Sequence, residues 1–97
     1  MKTLAFISEE NNTQSAQWQF DKVMAAIAYD LELSIVFVNQ GVAQLQYNHA
    51  WKCLKIYGVD SVYVVYDNDI NNNCLISAKE LNMSELKQMI SESQLIL

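Results

Sequence analysis

The side chains here whose chemistry could extend beyond packing are two cysteines, one histidine and two acidic clusters. Cys74 follows an asparagine-rich run near the expected rim of a sheet, so it is the thiol with a route to solvent. No Lys, His or clear helix start stands beside it to favour the thiolate, and Asp67 and Asp69 would raise its pKa if close. It is a weak catalytic candidate. Cys53 falls on the apolar side of a helical segment and reads as a buried, inert thiol. Asp67-Asn68-Asp69-Ile70-Asn71 opens like a calcium loop, but Asn72 stands where that loop needs Gly and Ala78 where it needs Glu. It therefore reads as a solvated turn, and no metal site is assigned. Glu9 and Glu10 follow the first expected strand, as acids do in phospho-receiver domains. Asp67 would be the acceptor there, but Lys79 is poorly placed for the strand-borne lysine and the chain is short for that class. His49 is the single histidine, which leaves a paired relay or a His-rich metal site without partners. With two Gly in the whole chain, neither glycine-rich phosphate loop can be written, and no cofactor is assigned.

Bulk composition bounds what surrounds these residues. Ninety-seven residues make one domain, spanning 1–97. A hydrophobic content of 52% exceeds what so small an interior needs, which leaves apolar surface for a neighbour. Net charge is −5 and every basic residue is Lys. Without Arg or a basic patch, direct nucleic-acid binding is not expected. No apolar run approaches the roughly 18 residues of a membrane span, so no membrane partner is expected. Residues 1–7 are too short for a secretory leader, and two Cys fit a reducing compartment. The expected location is cytoplasmic.

The positioning elements follow from periodicity. Residues 33–38 form the central strand, with apolar side chains consecutive from Ile35 to Val38. A strand buried on both faces needs that pattern, and helices on both sides of a parallel sheet supply the burial. Residues 3–7 and 61–66 read as further strands, 94–97 as a last one, and 75–77 as a short fourth at most. Segment 16–29 is helical, with Thr13 or Ser15 as cap. Ala16, Phe20, Val23, Met24 and Ile27 fall on one stripe of it, facing the sheet. Trp18, Ala25 and Tyr29 fall almost opposite, beside Lys22, which marks Trp18 and Tyr29 as candidate subunit contacts. Residues 42–45 read as a single turn. Segment 48–57 reads as one helix with Ala50, Cys53, Leu54 and Tyr57 on its apolar face, ended by Gly58, and Trp51 is a third interface candidate. Asn82 and Glu85 form a capping box for a last helix, whose apolar side is Leu86, Met89 and Ile90. The order is that of a doubly wound α/β domain, a flavodoxin-like parallel sheet with helices on both faces. Its binding rim is at the carboxyl ends of the strands, at residues 8–12, 39–41 and 67–73.

Four blocks of sequence resemble the DsrE/DsrF-like sulfur-relay family, most closely its TusC (DsrF) branch. They are MKTLAFI at the start, residues 33–45 with FVNQGVAQL at their heart, KIYGVDSVYV at 55–64, and the tail 81–97. The loops after Leu45 and Tyr66 are shorter than usual for that branch. The resemblance implies a DsrE/F-type fold and a place beside TusB-like and TusD-like subunits in a heterohexamer, two copies of each. Such a complex passes persulfide sulfur from the carrier TusA towards TusE, for 2-thiolation of the tRNA wobble uridine. The DsrEFH counterparts serve sulfur oxidation, and the chain pattern does not separate the two. The family's acceptor cysteine sits at the end of the third strand, a place that falls at about Val65 here. Valine holds no persulfide, so the resemblance implies a non-catalytic subunit. Cys74, nine residues on, matches no family acceptor position, and a persulfide carried on Cys74 itself is the alternative.

Overall fold

The computed structural model describes residues 2–65 and 75–97. Cys74, the 67–73 rim loop with its calcium-like start, and Tyr66 lie outside the described residues. Among the described residues five strands form one sheet in the order β4-β3-β2-β1-β5, with every pairing parallel. They are β1 (Lys2–Ile7), β2 (Glu32–Phe37), β3 (Val62–Val64), β4 (Lys79–Glu80) and β5 (Leu95–Ile96). The chain is α/β, and its sheet is built around β1 and β2, which pair in register from Lys2 with Glu32 to Ile7 with Phe37.

Alternation along the strands sends side chains to two separate clusters. Ala5, Ile7, Ile35, Phe37, Val62 and Val64 pack with residues of α1 (Gln14–Ala28), α2 (Gly41–Tyr47) and α3 (Cys53–Ile56). Leu4, Phe6, Val36, Val38 and Tyr63 pack with Leu86 and Met89 of α4 (Met83–Glu92). The unbroken apolar run 35–38 thus serves both clusters, as a strand buried on two faces must.

Helix ends follow local chemistry. The Thr13 side chain accepts from the Ala16 amide, and Asn82 and Glu85 close the reciprocal capping box. Gly58 stands at φ +73° after α3, where the Val59 amide reaches the Leu54 carbonyl and the Gly58 amide that of Lys55. That is a Schellman ending. Asp30 closes α1 the same way at φ +56°, with the Leu31 amide on Ala26 and its own on Ile27. No glycine announces that second ending, so the sequence pattern does not reveal it.

Three expectations are corrected. Residues 42–45 lie within a seven-residue helix, α2, rather than a lone turn. The fourth strand is Lys79–Glu80 rather than 75–77. The Leu75 amide instead donates to the Leu45 carbonyl, and Ile76 packs on the larger cluster. Segment 48–57 is not one helix: a 3-10 turn over His49–Lys52 precedes α3. In 3-10 geometry residues i and i+3 eclipse. Trp51 therefore turns to the side of Leu54, while Ala50 and Tyr57 are exposed.

Candidate functional site

The carboxyl ends of β1, β2 and β3 converge on a rim held by amide side chains. Gln19 of α1 reaches back over the first loop, where its Oε1 accepts from the Ser8 and Glu9 amides at 3.1 and 3.2 Å. Its Nε2 donates to Ser8 Oγ at 3.2 Å. Gln44 of α2 is fully buried; its Nε2 donates to the Glu9 carbonyl at 2.7 Å, and its Oε1 accepts from Trp51 Nε1 at 3.2 Å. Both polar ends of this buried amide are satisfied, which is the condition for keeping it in a core. A chain of contacts thus runs from the first rim loop through Gln44 to the indole. Phe20 and Phe37 meet that indole edge-to-face at centroid distances of 4.9 and 5.1 Å.

The second rim loop is equally constrained. The Val38 amide donates to the Ile7 carbonyl and the Gly41 amide to that of Val38, both at 2.9 Å. A Cβ at Gly41 would overlap the Ile7 carbonyl group, so the start of α2 lies directly on the end of β1. Asn12 and Asn39 turn the two loops in the left-handed region, at φ 64° and 51°, a conformation asparagine tolerates better than most side chains. Asn11 Oδ1 is buried there without a hydrogen-bond partner among the described residues. At the third position, Val65 follows β3, donates its amide to the Phe37 carbonyl at 3.0 Å and packs half-buried on the α4 side.

The residues singled out from sequence separate in space. Trp18 and Tyr29 lie on the outer stripe of α1, 60% and 80% exposed, with Lys22 and Ala25 also exposed. Trp51 is corrected as an interface candidate. It is 0% exposed and belongs to the chain's own core, because the 3-10 turn rotates it inward. His49 is exposed, next to the Asn48 cap. Cys53 is half-buried with its Sγ 4.0 Å from Met24 Sδ, and burial pushes its thiol above the usual range, against a smaller lowering by a backbone hydrogen bond. It lies off the rim, in the neutral form that a nucleophile must avoid. Among the described residues, no three of His, Cys, Asp or Glu gather as a metal site would require.

No protein-family model matches the chain, and no curated protein matches it. What the rim offers must therefore be read from its own atoms. It presents backbone groups, two glutamine amides already engaged, and a valine. Among the described residues there, no side chain combines a nucleophile with a base. Gln19 and Gln44 were not marked by sequence as rim residues. The signal for Gln44 was a polar side chain between Val42 and Leu45 on a helix that packs against β2, where only a paired amide is stable.

No described helix is long and apolar enough to cross a membrane. Exposed apolar side chains also occur beyond α1, at Tyr47, Ile56, Tyr57 and Met83.

Proposed function

We propose that the chain is a doubly wound, flavodoxin-like domain of the DsrE/DsrF type, working as the non-catalytic TusC/DsrF-like subunit of a sulfur-relay complex. Its partners in this reading are TusB-like and TusD-like subunits in a heterohexamer. The complex acts in the cytoplasm, taking persulfide sulfur from TusA and passing it to TusE for tRNA wobble-uridine thiolation. The winding is supported by β2, β3 and β4 lying to one side of β1 and β5 to the other. Right-handed crossovers then send α4 to the face opposite α1.

The observation that carries the reading is the aliphatic residue at the end of β3. Where a sulfur-accepting thiol would stand, Val65 offers a side chain half-buried against the α4 cluster. A subunit with that wall contributes shape to a shared cavity, and covalent chemistry falls to a neighbour. Trp18 and Tyr29 supply contact area of the kind that dominates subunit interfaces.

The test is mass spectrometry of the purified chain after incubation with a persulfide donor. The expected outcome is no stable added sulfur on the chain alone, with transfer appearing only when a TusD-like partner is present. Sulfur held by the isolated chain and abolished in Cys74→Ser would contradict the reading and make this protein a carrier in its own right.

A further inference from the structure

An opening lies away from the rim, at the β3 side of the sheet between α3 and the segment that precedes β4. It is a cavity of about 520 Å³, within the range of sites that enclose small organic molecules. Its floor is aliphatic, from Leu54, Val62, Leu75 and Ile76, and its margin carries Lys52 and Lys55.

Charge separates this cavity from the others. The chain is acidic, at −5, with six lysines in all. Two of those six stand at this one margin against a single carboxylate, Asp60. Among the described residues neither lysine side chain makes an ion pair or hydrogen bond, which leaves both ammonium groups to meet a ligand. Three other openings differ in sign or balance. One of about 300 Å³ brings Asp30 and Asp60 together without a lysine, and one of about 430 Å³ brings Glu80 and Glu85. Another of about 300 Å³ sets Lys2 against Glu32 and Glu92. Apolar depth and an excess of cation coincide only at the first of these four.

We propose that this cavity binds a small amphipathic monoanion, with an aliphatic or aromatic body on the Leu54–Val62–Ile76 floor and a carboxylate-like head between Lys52 and Lys55. The floor supplies affinity through removal of apolar surface from water. The lysines supply preference for the anion over a neutral molecule of the same shape. The site is independent of the rim and of the subunit role, and it stands whether or not the chain joins a complex.

The experiment is a two-dimensional amide NMR titration of the full chain with octanoate and, separately, with octan-1-ol. Octanoate is expected to move the amides of Leu54, Val62 and Ile76 saturably, and octan-1-ol to bind the same place several-fold more weakly. In Lys52→Gln/Lys55→Gln the affinity for octanoate should fall about tenfold, the sum of two exposed charge contacts, with the affinity for octan-1-ol unchanged. Both lysines are exposed, so the double variant should retain the wild-type spectrum elsewhere. Equal affinity for acid and alcohol, unaltered octanoate binding in the double variant, absence of saturation, or shifts centred on Trp18 and Tyr29 instead would each overturn the proposal.

Discussion

The two tryptophans of this chain have opposite fates, and the contrast separates what the molecule does for itself from what it leaves for others. Trp51 is enclosed, with its indole N–H on Gln44 and its ring between Phe20 and Phe37. Trp18 stands on the outer side of α1, 60% exposed, in line with Tyr29. A buried indole needs both apolar neighbours and a hydrogen-bond acceptor, and the fold provides both at position 51. At position 18 it leaves most of the ring in solvent. Helical periodicity placed Trp18 on an outer stripe, whereas Trp51 was an interface candidate on aromatic size alone. What distinguishes them is enclosure: Trp51 sits in the 3-10 turn His49–Lys52, fully buried, while Trp18 stands on the outer side of α1.

Predictions that sharpen this contrast begin with the enclosed side. Trp51→Ala should cost about 3–5 kcal/mol, from lost burial and the cavity left behind. Chemical denaturation followed by circular dichroism measures it, and a cost below 1 kcal/mol would mean the indole is not enclosed. Gly41→Ala should cost about 3 kcal/mol, because the new methyl meets the Ile7 carbonyl and backbone must move. The same denaturation curves read this effect. Gln44→Leu should cost about 1–3 kcal/mol by stranding the Trp51 N–H and the Glu9 carbonyl, and tryptophan fluorescence should report the altered indole environment. Trp18→Ala in the isolated chain should change stability by less than about 0.5 kcal/mol, as exposed positions do. A large loss there would show that Trp18 is packed within the chain and would erase the contrast.

How much was legible from sequence follows from the same physics. The central strand was readable at residues 33–38 because a strand buried on both faces must be apolar at every position, and the structure uses Glu32–Phe37. Both capped helices were readable because Thr13, Asn82 and Glu85 are side chains that bond free amides. The outer stripe of α1 was readable from a period of 3.6. The fourth strand was not, since Lys79 and Glu80 are exposed on a sheet edge and carry no burial pattern. Charged side chains on such an edge deter pairing with other chains, a constraint on neighbours rather than on the local helix or strand. Trp51 was misread because aromatic size marks a residue equally for a core and for an interface, and the acceptor that encloses its indole, Gln44, is not visible in the sequence pattern. The rim amides were hidden for another reason. Glutamine looks solvent-facing until its two partners, Glu9 and Trp51, are known.

The rim teaches the complementary lesson. Its loops are pinned by Gln19, Gln44 and the glycine contact, and its third position is a valine. Such pinning fixes the shape of the described rim before any ligand or partner meets it.

The account rests most on the claim that the outer stripe of α1 is a subunit contact. The direct measurement is size-exclusion chromatography of the chain co-expressed with TusB-like and TusD-like subunits, as wild type and as Trp18→Ala/Tyr29→Ala. The account predicts one large species for the wild type and a folded, separately eluting chain for the double variant. A wild-type chain that elutes as a monomer beside both partners, or a double variant that assembles as well as the wild type, would contradict it.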